Sequence, residues 1–406
     1  KVMLYNKGSV QTKYLNNLKG FQASSEPIIH FGLGAQSQVD SIVVRWPNNT
    51  YTKELNLQGN RHLTLDYKAE EVYTPEFNKK NYTLSFEKID PKAIGLDYRH
   101  IEDNYLDFNR EKLMPYRLSD RGPAALYTDL NNDGQKDLFI GGAKFESNAI
   151  FIFKDSLFTN QSTEERFLPL TENKLKEIVV ASSFTDETEQ KKLILGAAGA
   201  DFFGQASALQ DDLFTLSDAG VLQETNSGLE EFFLNTKVVE PIDFDNDGDT
   251  DLFVGNQHNT GQFGLAPQSY ILENKEGTFH PLPITIKGAV TDAIWHDVNE
   301  DEKLDLLVVG EFMKPSWYLQ GENKNFIQKE THAPSGLYQM VDTYDIDKDG
   351  DLDFILGNWG LNSKFKASNE HPLRVYTSDF DGNGQTEPIV AVYKKNAYYP
   401  LSSTDD

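Results

Sequence analysis

The sequence predicts an all-β protein, a small N-terminal antiparallel β domain followed by a β-propeller of about five blades. Three observations lead there. An acidic nine-residue pattern recurs five times. Four of the five copies run directly into a short β-branched or aromatic segment ending in Gly, which is strand-like in length and composition. Counting one decayed copy, the period is roughly 50 residues, the length of a four-stranded blade.

Composition bounds the possibilities. The 406 residues carry 38 Lys+Arg against 63 Asp+Glu, a formal charge of −25, and no cysteine. So negative a chain lacks the positive face that nucleic-acid binding requires, and it disfavours anionic lipid. Without cysteine there are no disulfides, zinc-thiolate sites, iron–sulfur clusters or thiol nucleophiles. No apolar run approaches the roughly 18 residues of a membrane-spanning helix, so no transmembrane segment is expected. The chain starts at Lys1 without Met or a signal sequence and ends on Ser-Thr-Asp-Asp after an apolar segment, which reads as a piece of a longer processed polypeptide.

Taken in order, Ile29 to Leu33, Val39 to Trp46, Tyr51 to Leu57 and His62 to Tyr67 alternate with Asn- and Gly-containing turns, giving a small antiparallel β domain over residues 1–68. Residues 69–120 are mixed polar and aromatic, a connector expected to pack on the propeller of residues 121–406. The first blade traces as Ala124 to Asp129, Leu138 to Gly142 and Asn148 to Lys154. The decayed copy lies between Glu177–Phe184 and Leu193–Gly196 and keeps only Asp186. A third blade follows as Val238 to Asp243, Leu252 to Asn256 and Ser269 to Asn274. The last motif comes only 34 residues after its predecessor, so Leu373 to Thr377 is expected as a third strand, with the motif bridging third and fourth strands. Ring closure is expected to use residues beyond 406.

The acidic pattern carries the chemistry. Its ligand positions 1, 3, 5, 7 and 9 are Asp129, Asn131, Asp133, Gln135 and Asp137 in the first copy, and Asp243, Asp245, Asp247, Asp249 and Asp251 in the second. They are Asp297, Asn299, Asp301, Lys303 and Asp305 in the third, and Asp345, Asp347, Asp349, Asp351 and Asp353 in the fourth. The fifth has Asp379, Asp381, Asn383, Gln385 and Glu387. The windows have net charges of −2, −5, −4, −4 and −3, so 45 residues hold −18 of the −25. Such crowding is unfavourable unless a cation neutralises it. Side-chain oxygens at 1, 3, 5 and 9, a carbonyl at 7 (hence Lys303) and Gly at 6 for the turn suit six- or seven-coordinate Ca²⁺, up to five ions, better than octahedral Mg²⁺. Metal-free Asx turns are the plain alternative. The helical calcium hand is excluded because its position 12 needs Glu, whereas Ile140, Val254, Val308, Leu356 and Val390 stand there.

The opposite loops are polar, aromatic and unequal. Asn256, His258, Gln262, Phe263, Glu311, Asn358, Trp359 and Asn362 form a candidate mouth for a sugar or extended peptide, or else pack between blades and cap turns. His296, beside Asp297, reads as a packed residue. No serine triad, phosphate loop or His-x-x-x-His pair appears.

At this point the residues carry a resemblance. His30-Phe-Gly-Leu-Gly34 with Val39-Asp-Ser and Val44-Arg-Trp-Pro47 resembles the ASPIC/UnbV domain of cartilage acidic protein-like chains. The Asp/Asn loops, Gly122-Pro123, Gly141-Gly-Ala143, Gly357-Asn-Trp-Gly-Leu-Asn362 and Asp379-Phe-Asp381 resemble FG-GAP/VCBS repeats of the integrin-type propeller, with Glu302 in place of a loop Gly as a departure. The order resembles exported, often lipid-anchored surface proteins of Bacteroidota encoded near outer-membrane nutrient-uptake systems. The resemblance implies an extracellular or outer-membrane-surface calcium-binding propeller. The expectation is a non-catalytic recognition or assembly module with a protein or glycan partner, including outer-membrane transporter subunits. The alternative is a calcium-dependent polysaccharide lyase or glycoside hydrolase.

Overall fold

Strand pairing in the first unit follows from where Leu4, Val39 and Leu57 can be buried together. The structure, a computed structural model, describes residues 1–16, 18–20, 23–24, 26–67, 86–199, 201–360 and 363–402, and divides into units of residues 1–88 and 89–406. In the first unit β1 (Val2–Asn6) and β2 (Ser9–Lys13) form a hairpin, and β3 (Leu18–Gly20) pairs with β4 (Ala23–Ser24). With β5 (Gln38–Arg45) and β6 (Tyr51–Gln58) the main sheet runs β2-β1-β5-β6. Leu4, Val39 and Leu57 are buried, with Phe31, Leu33 and Ile42 packed against them. Two expected strands are absent. Ile29–Leu33 and His62–Tyr67 are irregular, and Tyr67 instead stands edge-on to Trp46 with ring centroids 5.5 Å apart.

In the second unit each acidic loop separates two antiparallel strands. The first sheet is β7 (Ala125–Thr128), β8 (Asp137–Ile140), β9 (Ala149–Lys154) and β10 (Leu157–Asn160). The second is β11 (Glu177–Thr185), β12 (Lys191–Ala198), β13 (Asp212–Leu216) and β14 (Leu222–Glu224). The third is β15 (Thr236–Ile242), β16 (Asp251–Asn256), β17 (Gln268–Lys275) and β18 (Thr278–Pro281), with β19 (Ile286–Lys287) on β17. The fourth is β20 (Ala289–His296), β21 (Asp305–Met313), β22 (Ser316–Gln320) and β23 (Phe326–Glu330). The first strands touch in succession, β7 to β11 to β15 to β20 and then to β24 (Gly336–Tyr344), which is the radial order of propeller blades.

Blades meet closely because the second strands end in glycine. A methyl on Gly141 would lie 2.3 Å from the Ile178 carbonyl oxygen of the next blade, and one on Gly196 would lie 2.3 Å from Val180 Cγ1 and 2.8 Å from Thr236 Cγ2. Opposite the second-strand glycine the first strand carries a register shift, at Ile178/Val180, Thr236/Val238, Val290/Asp292 and Tyr338/Met340. These bulges bend each first strand where the neighbouring blade crosses. Phe139, Ile194, Phe253, Leu306 and Val308 fill the interfaces at 0% exposure.

The fifth sheet departs from expectation. β24 pairs with β25 (Asp353–Asn358), but the expected third strand does not join them. β26 (Arg374–Ser378), β27 (Glu387–Lys394) and β28 (Ala397–Pro400) form a sheet of their own. The last acidic loop therefore joins first and second strands, as the others do, and does not bridge third and fourth. This sheet meets the loop after β16, where Thr386 N–H donates to Gly261 O at 3.3 Å. Of the expected connector, residues 69–85 lie outside those described. Residues 89–120 belong to the second unit, where Met114, Leu118 and Tyr116 pack with Phe263 and Phe312.

Candidate metal centre

The five acidic loops share one backbone design. The position-1 carboxylate curls into the loop: Asp129 Oδ1 accepts the N–H of Asn131 (3.2 Å) and Asp133 (3.3 Å), while Oδ2 accepts that of Gly134 (2.9 Å). Asp243, Asp297, Asp345 and Asp379 accept the position-6 N–H in the same way, at 3.1, 2.8, 3.3 and 2.9 Å. The position-5 side chain accepts the position-7 N–H in all five, from Gln135, Asp249, Lys303, Asp351 and Gln385. Position 4 is left-handed throughout, at Asn132, Asn246, Glu300, Lys348 and Gly382, with φ between 57° and 73°. Position 6 is left-handed too, and Glu302 adopts φ 66° where the other loops have Gly, so the third loop keeps its shape at a conformational cost.

Position 9 fastens the loop to the blade. Its carboxylate accepts the position-2 N–H in every copy, from Leu130, Phe244, Val298, Ile346 and Phe380. In three blades its other oxygen also accepts an amide of the third strand, Phe153 for Asp137, Asn274 for Asp251 and Gln320 for Asp305, each at 2.8 Å. These three aspartates are fully buried. Burial pushes the Asp251 carboxyl up to about 7, against the pull of the two amides. Asp249 is likewise pushed up to about 6, by burial and then by the neighbouring Asp247.

Ligand oxygens converge at positions 1, 3 and 9. Asp243, Asp245 and Asp251 place one oxygen each within 4.8 Å of one another, as do Asp345, Asp347 and Asp353, and Asp379, Asp381 and Glu387. Loops one and three have neutral Asn131 and Asn299 at position 3, so they form no such all-carboxylate group among the described residues. Every donor is oxygen, the hard ligand class of Ca²⁺ and Mg²⁺, and Asp249 Oδ1 is buried without a hydrogen-bond partner. These acidic clusters could hold a metal ion. The Lys303 side chain points away to Glu322, 3.1 Å off, leaving its carbonyl as its only oxygen.

Two lysines that sequence reasoning missed act as built-in cations. In the decayed loop Lys192 stands four residues before Gly196, as Asp137 and Asp251 stand before Gly141 and Gly255, with Nζ 3.0 Å from Asp186 Oδ2 and 2.9 Å from Thr215 Oγ1 on the third strand. An ammonium thus does there what a carboxylate does elsewhere, tying loop to third strand. Lys324 reaches from the fourth sheet to Asp245 and Glu273, and its Nζ is 3.7 Å from Asp247. The Asp186-to-Lys192 spacing was the only signal in the sequence for the first; nothing local marks the second.

The opposite mouth is filled. Asn256, His258, Phe263 and Glu311 are buried, Phe263 and Glu311 against residues of the 105–120 segment, not displayed on an open surface. Glu311 accepts hydrogen bonds from Tyr116 Oη at 2.8 Å and Gln339 Nε2 at 2.9 Å. Trp359 packs on Tyr116 and Phe365, with centroids 5.1 and 5.8 Å apart. Asn358 Oδ1 accepts from Leu337 and Gly360 N–H, a turn-capping role. Gln262 and Asn358 are exposed, and Asn362 lies outside the described residues. His296 packs edge-on to Phe354 at 5.3 Å. Burial holds the His258 imidazole down to about 4, so it is neutral at physiological pH. Around the first-strand starts gather Arg121, Glu177, Lys237 and Asp292, a polar cluster the sequence pattern did not mark.

Comparison with known proteins finds two family models. Residues 1–72 match the family model described as ASPIC and UnbV, and residues 297–356 match that of an FG-GAP-like repeat. Compared with curated proteins, the chain matches none. Among solved structures it is similar to a GH43 β-1,3-galactosidase, BT3683, with galactodeoxynojirimycin, at TM-score 0.33 and 8% identity over 68% of this chain and 92% of that one. A second GH43 β-1,3-galactosidase, BT0265, gives TM-score 0.32 and 9% identity over 68% of this chain and 61% of that one. The chain is an all-β protein with an ASPIC and UnbV domain at its N-terminus and an FG-GAP-like repeat in the strands that follow.

Proposed function

We propose that the protein is a calcium-stabilised β-propeller module of the cell surface, serving recognition or assembly without catalysis, in the setting of an outer-membrane nutrient-uptake complex. One observation carries the calcium reading. The same loop frame recurs five times and converges the oxygens of positions 1, 3 and 9 in three copies, in windows that hold −18 of the chain's −25 charge. Oxygen-only donors on a preformed loop suit Ca²⁺, which tolerates irregular geometry. With site constants of about 10⁻⁴ to 10⁻³ M and about 1 mM calcium, each ion contributes roughly 0.4–1.4 kcal/mol and five contribute roughly 2–7. Isothermal titration with CaCl₂ and MgCl₂ tests the assignment, with calcium binding expected to dominate. The commitment of Glu311 and Trp359 to contacts with Tyr116 supports a non-catalytic role. Purification from native membrane tests the partner, and co-purifying transporter subunits are the expected result.

A glycan-active enzyme is the second reading, and two first-strand carboxylates, Glu177 on β11 and Glu240 on β15, favour it. Burial pushes Glu177 up to about 8 and Glu240 up to about 7, so both hold a proton near neutrality, as a general acid must. A polysaccharide panel run with the wild type, E177Q and E240Q separates the readings; turnover lost in either variant would support the enzyme.

A further inference from the structure

Beyond its pairing with the end of β21, the β24–β25 hairpin lacks the third and fourth strands that each of the four blades before it has, and the outer edge of β25 pairs with no strand among the described residues. The face that carries Ile355, with Asp342 opposite it on β24, is open as well. Ile355 is 43% exposed, whereas Phe139, Phe253 and Leu307 at the same repeat position are at most 2% exposed. Met340 and Tyr344 of β24 share this exposure at 46% and 62%. The Asp353 carboxylate accepts Ile346 N–H through Oδ2, but Oδ1 lacks the third-strand amide that Asp137, Asp251 and Asp305 each receive.

The complete blades specify what would fit. In the third blade Leu252, Phe253 and Val254 face Leu272, Ile271 and Tyr270, and the Asn274 amide reaches Asp251. The third strand there reads Tyr270-Ile-Leu-Glu-Asn274, and β25 itself reads Phe354-Ile-Leu-Gly-Asn358. β25 therefore resembles the strand missing from its own blade. Paired antiparallel with a second β25 about a twofold axis at Ile355, it would set Phe354 opposite Leu356 of the other copy, matching Leu252 opposite Leu272. The Asn358 amide would then fall two residues past that pair, the place from which Asn274 serves Asp251. In the third blade the corresponding Asn256 N–H points towards the third strand, where it meets Ser269 Oγ at 2.9 Å.

We propose that this edge is a homodimer interface, in which β25 strands of two copies pair antiparallel and supply each other's third strand. The register is Phe354 to Leu356 and Ile355 to Ile355, with two Asn358 amides donating to two Asp353 carboxylates. Sedimentation velocity over roughly 1–200 µM, with hydrogen exchange at the Leu356 and Asn358 amides, tests it. A concentration-dependent dimer is expected, with slower exchange at both amides as it forms. I355K alters an exposed side chain and should leave the monomer's melting curve unchanged while shifting the dimer constant at least tenfold. L356P removes an edge amide and should also weaken the dimer at least tenfold, while lowering the monomer's melting temperature because Leu356 packs on the cluster of Leu307 and Val309. A monomer at all concentrations, or a dimer that both variants leave intact, would overturn the proposal. So would binding of a peptide with the Ser269–Lys275 sequence to a chain that stays monomeric, since the edge would then take a strand from elsewhere.

Discussion

Lys192 Nζ lies 3.0 Å from Asp186 Oδ2 in the one loop of the repeat that lost its acidic ligands. The side chains are only 15% and 10% exposed, so the pair replaces an external cation with an internal one. Lys192→Met should cost about 1–3 kcal/mol, by stranding a largely buried carboxylate. Thermal melts in calcium and in EGTA should show the same loss, because no ion is involved at this loop.

Asp251 and Asp249 differ by two positions but should respond in opposite ways. Asp251→Ala leaves the buried N–H groups of Phe244 and Asn274 unpaired and should destabilise by about 2–4 kcal/mol with or without calcium. Asp249→Asn removes charge from a buried oxygen that has no hydrogen-bond partner, so metal-free stability should hold or rise while calcium affinity at that loop falls about tenfold. Denaturant melts paired with calcium titration read both effects.

Gly141→Ala tests the blade contact. The new methyl would meet the Ile178 carbonyl oxygen at 2.3 Å, and backbone cannot yield as a flexible side chain can. A loss of about 1–3 kcal/mol is expected in urea unfolding, well above the effect of the same change at Gly134, where no atom lies within 4 Å and only the left-handed φ resists.

Glu177 predicts a pH dependence. Burial, then the charge of Glu102, raises its folded pKa to about 8 from 4.5. The folded state therefore holds a proton the unfolded state releases between those values. Stability from this group is full below about pH 4.5 and is lost as pH rises towards 8. E177Q should flatten that slope, gaining roughly 1–3 kcal/mol at pH 8.5 and nothing at pH 4.5, as measured by chemical denaturation across that range.

Strands that follow an acidic loop were legible because the loop's last aspartate and a run such as Leu138-Phe-Ile mark their start, and a glycine marks their end. The β1–β2 hairpin was missed because the Lys7-Gly8 turn follows only five strand residues that show no clear alternation of exposure. The last motif was misplaced because spacing counts residues, not pairing, and the described residues between Asn358 and Arg374 form no third strand for that blade. Filling of the mouth was illegible for a different reason. It depends on Tyr116 reaching Glu311, a contact 195 residues apart that no local pattern encodes.

Calcium dependence of folding is the most direct test of the central claim. Melting curves of the same sample in 1 mM CaCl₂ and in excess EGTA should differ by roughly 5–20 °C, given the roughly 2–7 kcal/mol that five weak sites contribute. Curves that superimpose would contradict the account, leaving the five loops as Asx-rich turns held by their own hydrogen bonds.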